Sequence, residues 1–186
     1  MKITMRMAVL NEIYDVCGPA VLGKSSAPEP MCSHILLSVG QEESVAVAVN
    51  SFMLTKLPIN NENLSGDYGE YLLPVVKLPK RADSVTIENS EDEINLSFDN
   101  DAKTKISQGM PYGEFIHWKR LIPDRISTYE IGVCPKSLIR AAKSLEKRTD
   151  VAKLSFGEKA MDPILITTPR TGITTILMPG RLENNE

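Results

Sequence analysis

The chain has 186 residues, 42% of them hydrophobic and 24% charged, with a formal net charge of −3 at pH 7. These values are typical of a globular protein with one good core or two small ones, and any nucleic-acid contact must come from a local basic patch. Cys17, Cys32 and Cys134 are odd in number and widely spaced, which indicates neither a disulfide framework nor a zinc site. Since no run approaches the ~20 apolar residues of a membrane span and no signal pattern opens the chain, we expect a cytoplasmic protein without membrane contact.

The first part of the chain has the pattern of a helix followed by strands. An alternating run at residues 2–5 leads into apolar positions at helical spacing, and Gly18–Pro19 can end that helix. Strands are predicted at 32–39, at 44–50 and at 52–59. The polar stretch 60–70 predicts a connector between two structural halves.

The middle segment repeats this pattern with a reduced helix. Pro74 and Pro79 allow only a stunted turn in 72–83, where the repeat would place a helix. A hairpin is predicted for 84–89 and 93–98, followed by a strand at 103–107. The segment 113–124 then carries the single tryptophan, Trp118, into the last unit.

The last unit is predicted to be one helix laid on three strands. The helix, 134–148, has Pro135 at its first position, where the missing N–H is not needed. One predicted face is an apolar stripe that packs on the sheet, formed by Leu138, Ile139, Ala142 and Leu145. A second face presents cations at spacings of four, three and four, namely Lys136, Arg140, Lys143 and Lys147.

Strands at 151–156, 163–169 and 173–179 complete the last unit, and the polar residues 183–186 predict a disordered tail. A helix or its remnant followed by strands thus occurs three times along the chain. This repetition predicts an α+β fold of antiparallel sheets with helices on one face. We expect a domain of two halves at 1–125 and a half-domain at 126–182.

No pattern in the sequence supports catalysis, a metal or a cofactor. The only histidines, His34 and His117, lie in an apolar strand and beside the tryptophan, where a structural role is expected. Nucleophile-elbow, zincin, P-loop and dinucleotide-binding motifs are absent. The acidic run 90–93 is interpreted as a solvated hairpin turn. An enzyme that uses scattered carboxylates remains an alternative, although nothing in the sequence brings them together.

Several segments resemble the bacterial DNA polymerase III beta subunit, the sliding clamp. The carboxyl-terminal ILMPGRL, 176–182, resembles that family's ending, and GEFIHWKRLIP, 113–123, resembles its aromatic, basic and aliphatic–Pro segment. YEIGVCPKSLIRAAKSLEKR falls where the clamp's last helix would be, and AVNSFML falls at a family loop of Ala-Thr-Asp-Gly-His-Arg-Leu. Clamps have three domains of two halves each, whereas this chain resembles the middle domain joined to the second half of the last, about one and a half clamp domains.

The resemblance implies a hydrophobic pocket that receives a short linear peptide of a polymerase or another partner. In the family this pocket lies between the first half of the middle domain and the second half of the last domain. Phe52 and Met53 replace the family's His and Arg, so the pocket would be more apolar here. Carried over, the pocket comprises Cys32, Val49, Ser51, Phe52, Met53, Leu54, Pro123, Ile176, Met178 and Pro179.

The resemblance also implies a surface for duplex DNA, because clamp helices line the hole of the ring and face the phosphates. On that basis the cations at the DNA are Lys136, Arg140, Lys143, Lys147, Lys24, Lys80 and Arg81. The leading hypothesis is a non-enzymatic processivity factor that slides on DNA, tethers a polymerase and closes as a homo-oligomer through a new interface. The alternative is a clamp remnant that binds partner peptides without encircling DNA.

Overall fold

A computed structural model of the chain describes residues 1–21, 30–50, 53–122, 131–145, 151–159, 162–168 and 174–180. The chain divides into two compact units, Met1–Pro123 and Asp124–Glu186. The elements of the first unit are β1 (Lys2–Arg6), α1 (Met7–Cys17), β2 (His34–Val39), β3 (Ser44–Val49), β4 (Leu54–Ile59), β5 (Leu64–Gly66), β6 (Gly69–Pro74), β7 (Ser84–Asn89), β8 (Glu93–Asp99) and β9 (Lys105–Gly109). Those of the second are α2 (Pro135–Leu145), β10 (Lys153–Ser155), β11 (Ile164–Thr167) and β12 (Thr174–Leu177). The predicted α+β class is confirmed.

The first unit contains two antiparallel sheets. One has the strand order β5-β1-β7-β8-β9 and the other the order β4-β3-β2-β6. The predicted hairpin is confirmed, since β7 pairs with β8 from Ser84–Asp99 to Asn89–Ile94, and β9 extends the sheet as predicted. Ser90 closes the turn between β7 and β8 by donating its backbone N–H to the backbone carbonyl of Glu93.

Strands β2 and β3 of the four-stranded sheet are buried on both faces, which explains why they are nearly continuous apolar runs. In β2, Ile35 and Leu37 point to one face and are fully buried, while Leu36 points to the other and is 3% exposed. Helix α1 begins directly after β1 and inserts Leu10 and Ile13 into the same core. This core therefore joins both sheets and α1 into one body.

The connector predicted at 60–70 contains β5 and the start of β6, which corrects the sequence interpretation. Within it, β5 pairs with β1 and β6 begins its ladder with β2. Gly66 and Gly69 have φ values of 142° and 149°, a conformation open to glycine that turns the chain sharply between these strands. The polar composition of 60–70 reflects the tight turn between β5 and β6 and an exposed sheet edge. The absence of a full helix predicted for 72–83 is confirmed, but residues 72–74 form the end of β6, so the irregular segment begins only at Val75.

The described residues of the second unit form a small meander with a single helix. Strand β11 pairs antiparallel with β10 and with β12, as predicted. Alternation along β11 and β12 places Ile164 and Leu177 on the buried face, where α2 contributes Ala141 to the same core.

The apolar stripe of α2 was predicted to pack on the sheet, and this prediction is wrong. Leu138 is 40% exposed and Ile139 is 54% exposed, and Ala142 is exposed as well. The side chain of Leu145 lies outside the described residues. Ala141, which is 6% exposed, packs in the core of this unit instead.

Candidate functional site

Helix α2 presents three cations on one exposed face. Lys136, Arg140 and Lys143 are all exposed and stand at i, i+4 and i+7, so they share one side of the helix. Within the described residues the ion pairs are Lys2–Glu88 at 2.9 Å and Lys56–Glu43 at 2.7 Å. The three cations of α2 thus have no carboxylate partner in the described part of the chain, and their charge is available to an anionic partner.

The start of α2 also perturbs an exposed thiol. Cys134 precedes the helix, and its carbonyl accepts the backbone N–H groups of Ser137 and Leu138 at 3.0 Å. Hydrogen bonds from the backbone and side chain of Ser137 lower the pKa of the Cys134 thiol below its ordinary value, and the positive charge of Arg140 adds to this. The Cys134 thiol therefore lies at the exposed start of the helix, and Lys136, Arg140 and Lys143 follow it along the helix.

The remaining predicted DNA contacts do not all fall on described residues. Lys80 and Arg81 are exposed in the turn between β6 and β7, and Arg81 has a φ of 65°. Lys24 and Lys147 lie outside the described residues. These contacts stay predictions, because Lys80 and Arg81 belong to the first unit and the α2 row to the second.

The predicted peptide pocket is divided between the units in the same way. In the first unit, Cys32 and Val49 are 2% and 3% exposed, so their side chains offer a partner very little surface. Met53 is 45% exposed and Leu54 is half-buried. The predicted pocket residues Ser51, Phe52 and Pro123 lie outside the described residues.

In the second unit the predicted pocket residues are exposed or half-buried. Ile176 and Met178 are 61% and 65% exposed, and Pro179 is half-buried. Ile176 pairs with Leu165, which is 40% exposed, on the face of the sheet opposite the core. Such exposure of large apolar side chains fits a surface that binds a partner. The grouping of the ten pocket residues into one site stays a prediction.

Sequence reasoning missed a cleft of about 1160 Å³ in the first unit. Its floor includes Leu36 and Leu72, and one wall is the segment 113–120. Two signals could have pointed to it. The methionines Met31 and Met110 flank β2 and β9, and Phe115 stands in a segment with neither helical nor strand periodicity.

The two histidines differ in their surroundings. His34 is 2% exposed; its Nδ1 lies 2.9 Å from the Ser33 hydroxyl and its Nε2 lies 2.9 Å from the amide nitrogen of Gln108. The structural role expected for it is therefore confirmed. His117 is exposed and lines the cleft. The described residues hold no cluster of three metal-ligating side chains, and none of their helices has the length and apolar character needed to cross a bilayer.

Comparison with solved structures identifies the fold. The DNA polymerase III beta chain of Streptococcus pneumoniae superposes with a TM-score of 0.71 at 16% identity, over 96% of this chain and 49% of that one. The beta subunit of the Streptococcus pyogenes DNA polymerase gives a TM-score of 0.71 at 16% identity, over 96% and 50% of the two chains. The Bacillus subtilis DNA polymerase sliding clamp gives 0.67 at 20%, over 96% and 49%.

No protein-family model and no curated protein matches the sequence. The chain spans about half the length of the clamps it superposes on. The resemblance found in the sequence is confirmed at the level of architecture: the chain has the fold of about half of a DNA polymerase III beta-subunit sliding clamp.

Proposed function

We propose that this protein is a non-enzymatic, sliding-clamp-like factor that binds duplex DNA without sequence preference and tethers a polymerase or another replication protein to it. The observation that supports this most directly is the exposed row of Lys136, Arg140 and Lys143 on the helix of a clamp-fold unit. Cations spaced along one helix face fit phosphates rather than base edges. The DNA-binding set also includes Lys147, Lys24, Lys80 and Arg81.

The proposal assigns the protein to the cytoplasm and to a homo-oligomer that surrounds DNA. In this proposal the ring closes through an interface between identical copies, as in other symmetric homo-oligomers. The net negative charge of the protein disfavours nonspecific binding of DNA to its other surfaces, while the basic surface binds the phosphates.

Charge reversal on α2 tests DNA binding. The triple variant Lys136→Glu, Arg140→Glu, Lys143→Glu is compared with a control that reverses three other exposed cations, Lys77, Lys153 and Lys159. Affinity for a labelled DNA duplex is measured by fluorescence anisotropy at several salt concentrations. The α2 variant should lose affinity and reduce the slope of log K against log salt by roughly one unit per cation removed.

The control triple variant should retain most of the affinity. Equal losses in the two triple variants would mean that only net charge matters and would contradict the assignment of α2 as the DNA surface. A wild-type protein without salt-sensitive affinity for DNA would end the proposal.

A second candidate function is supported by the exposure of Ile176 and Met178, which are 61% and 65% exposed. Here the protein is a clamp remnant whose apolar pocket binds partner peptides without encircling DNA. Apolar anchors supply most of the affinity of such a groove. Met178→Ala should abolish binding of a clamp-partner peptide, whereas Val151→Ala, at a 68% exposed position of the same unit, should not. Peptide binding that survives Met178→Ala would reject this pocket.

A further inference from the structure

Helix α2 leaves its large apolar side chains uncovered, unlike α1. In α1, Leu10 and Ile13 are fully buried in the core of the first unit. In α2, Leu138 is 40% exposed, Ile139 is 54% exposed and Ala142 is exposed as well. These three residues are called the apolar flank of α2 below. Apolar side chains grouped on one side of an exposed helix favour packing against a further protein surface.

The apolar flank and the cations lie in opposite directions around α2. Successive residues of an α-helix turn by about 100° around its axis. Measured from Ala141, which packs in the core of the second unit, Leu138 lies about 60° and Ala142 about 100° around in one direction. The cations lie about 100–160° around in the other direction, namely Arg140, Lys136 and Lys143. A protein that packs against Leu138 and Ala142 therefore leaves the cations open.

A second copy of α2 fits the apolar flank. When two copies are related by a two-fold axis perpendicular to the sheet, their helices run antiparallel side by side, with each sheet below its own helix. Leu138 of one copy then meets Ala142 of the other, a large side chain against a small one, and the symmetry repeats this contact. Both rows of cations end on the same open side, above the two sheets. A second copy thus covers the apolar flank and also doubles the positive charge that faces an anion.

The contact between two such helices is small and brings like charges together. Helix α2 has 11 residues, and a helix of that length spans roughly 16 Å, so the contact lies at the low end of interface sizes. The sequence of α2 contains no carboxylate that offsets the two rows of cations. We therefore expect self-association in the micromolar range, which added salt strengthens because it screens the cations from one another.

We propose that the second units of two copies pair through the apolar flanks of α2 and present their cations side by side to the phosphates of one duplex. The pairing is argued from α2 itself, whereas its consequence for DNA rests on the proposed function. Because both copies contact the same duplex, DNA strengthens the pairing and the pairing strengthens DNA binding by the same factor. The apolar flank thereby becomes one interface of the proposed homo-oligomer.

Two leucines of equal exposure allow a matched test that leaves the charge unchanged. Leu138 and Leu165 are both 40% exposed in the second unit, but Leu165 lies in β11 on the sheet face opposite the core that Ala141 joins. Self-association of the full chain is measured without DNA by sedimentation equilibrium from about 1 to 200 μM. Leu138→Gln should weaken it about tenfold or more, whereas Leu165→Gln should leave it within about twofold.

A second variant keeps the test valid if Leu138→Gln impairs folding. Ala142 is exposed and Gln is a good helix former, so Ala142→Gln should fold normally and still weaken self-association by adding polar bulk to the contact. Both α2 variants keep every cation, yet both should bind a labelled duplex more weakly than the wild type in fluorescence anisotropy. Conversely, the triple variant Lys136→Glu, Arg140→Glu, Lys143→Glu should lose DNA affinity while it still self-associates.

Four outcomes would overturn the pairing. These are a wild-type chain that stays monomeric at the highest concentration, equal weakening by Leu138→Gln and Leu165→Gln, self-association that weakens with added salt, and self-association that is indifferent to both α2 variants. A monomer that Leu138→Gln destabilises would show that the chain itself covers the apolar flank. Self-association that depends on the apolar flank, in a chain without DNA affinity, would support the pairing and refute the proposed function.

Discussion

The two units of this chain differ in how many apolar side chains they bury. The first has two sheets and α1 around a large core, in which Leu10, Ile13, Ile35 and Leu37 are fully buried. The second buries Ala141, Ile164, Ile166 and Leu177 within its described residues. It leaves large apolar side chains such as Met178 exposed. The contrast indicates that the first unit has the more extensive core, whereas the second buries few apolar side chains for its size.

Separating the units should give the largest effect. Residues 1–123 expressed alone should unfold cooperatively, since their core is complete. Residues 124–186 alone should show little or no cooperative transition, because chains below ~70–80 residues rarely gain enough from a single core. Thermal unfolding followed by circular dichroism measures both. A cooperative transition in the short fragment, with none in the long one, would contradict the conclusion that the first unit is the more stable of the two.

Truncating one apolar side chain in each unit should sharpen the contrast. Leu37→Ala removes a fully buried side chain of β2 and should lower the free energy of unfolding by about 2–5 kcal/mol. Ile176→Ala removes a side chain that is 61% exposed and should change it by no more than about 0.5 kcal/mol.

Urea unfolding of the full chain measures both variants. A loss at Ile176 as large as that at Leu37 would show that the outer face of β12 is packed against protein in solution. That result would contradict its assignment as an open partner surface.

The smallest expected effect is a difference in thiol reactivity. Cys134 is exposed and the pKa of its thiol is lowered by its hydrogen bonds to Ser137, so the thiolate forms at lower pH than in an ordinary cysteine. Cys17 is buried, and burial raises the pKa of its thiol to about 11. Iodoacetamide at neutral pH should therefore modify Cys134 first, as detected by mass spectrometry of tryptic peptides.

Ser137→Ala should shift the pH midpoint of Cys134 alkylation upward, because it removes a hydrogen bond that favours the thiolate. Alkylation of Cys17 at a comparable rate in the folded protein would mean that α1 opens readily, against the conclusion that the first unit is the more stable of the two.

Local patterns predicted most elements because their residues obey simple periodicities. The apolar run of β3, together with Pro74 at the end of β6 and Pro79 after it, acts within a few residues, and the strand and the absence of a helix predicted there are confirmed. Strands β5 and β6 were missed because their stability comes from long-range pairing with β1 and β2. The polar composition of 60–70 conceals that pairing.

The candidate sites, too, could be predicted only where local sequence patterns determine them. The cation row of α2 follows from helical spacing alone; Lys136, Arg140 and Lys143 are exposed, and Lys147 lies outside the described residues. Which of its apolar residues packs could not be predicted, because that depends on how far three short strands extend under the helix. The cleft of the first unit was invisible to local patterns, since Asn89 and Leu72 come together only through the fold.

Retention on circular DNA tests the central claim, that this fold surrounds a duplex and holds it through the cations of α2. The protein is loaded on a closed circular plasmid, separated from free protein by gel filtration at moderate salt, and followed before and after the plasmid is cut once. The account predicts that protein stays with the circle, leaves after cutting, and is not retained when Lys136, Arg140 and Lys143 are changed to Glu. Equal loss from the circular and the cut plasmid would contradict it.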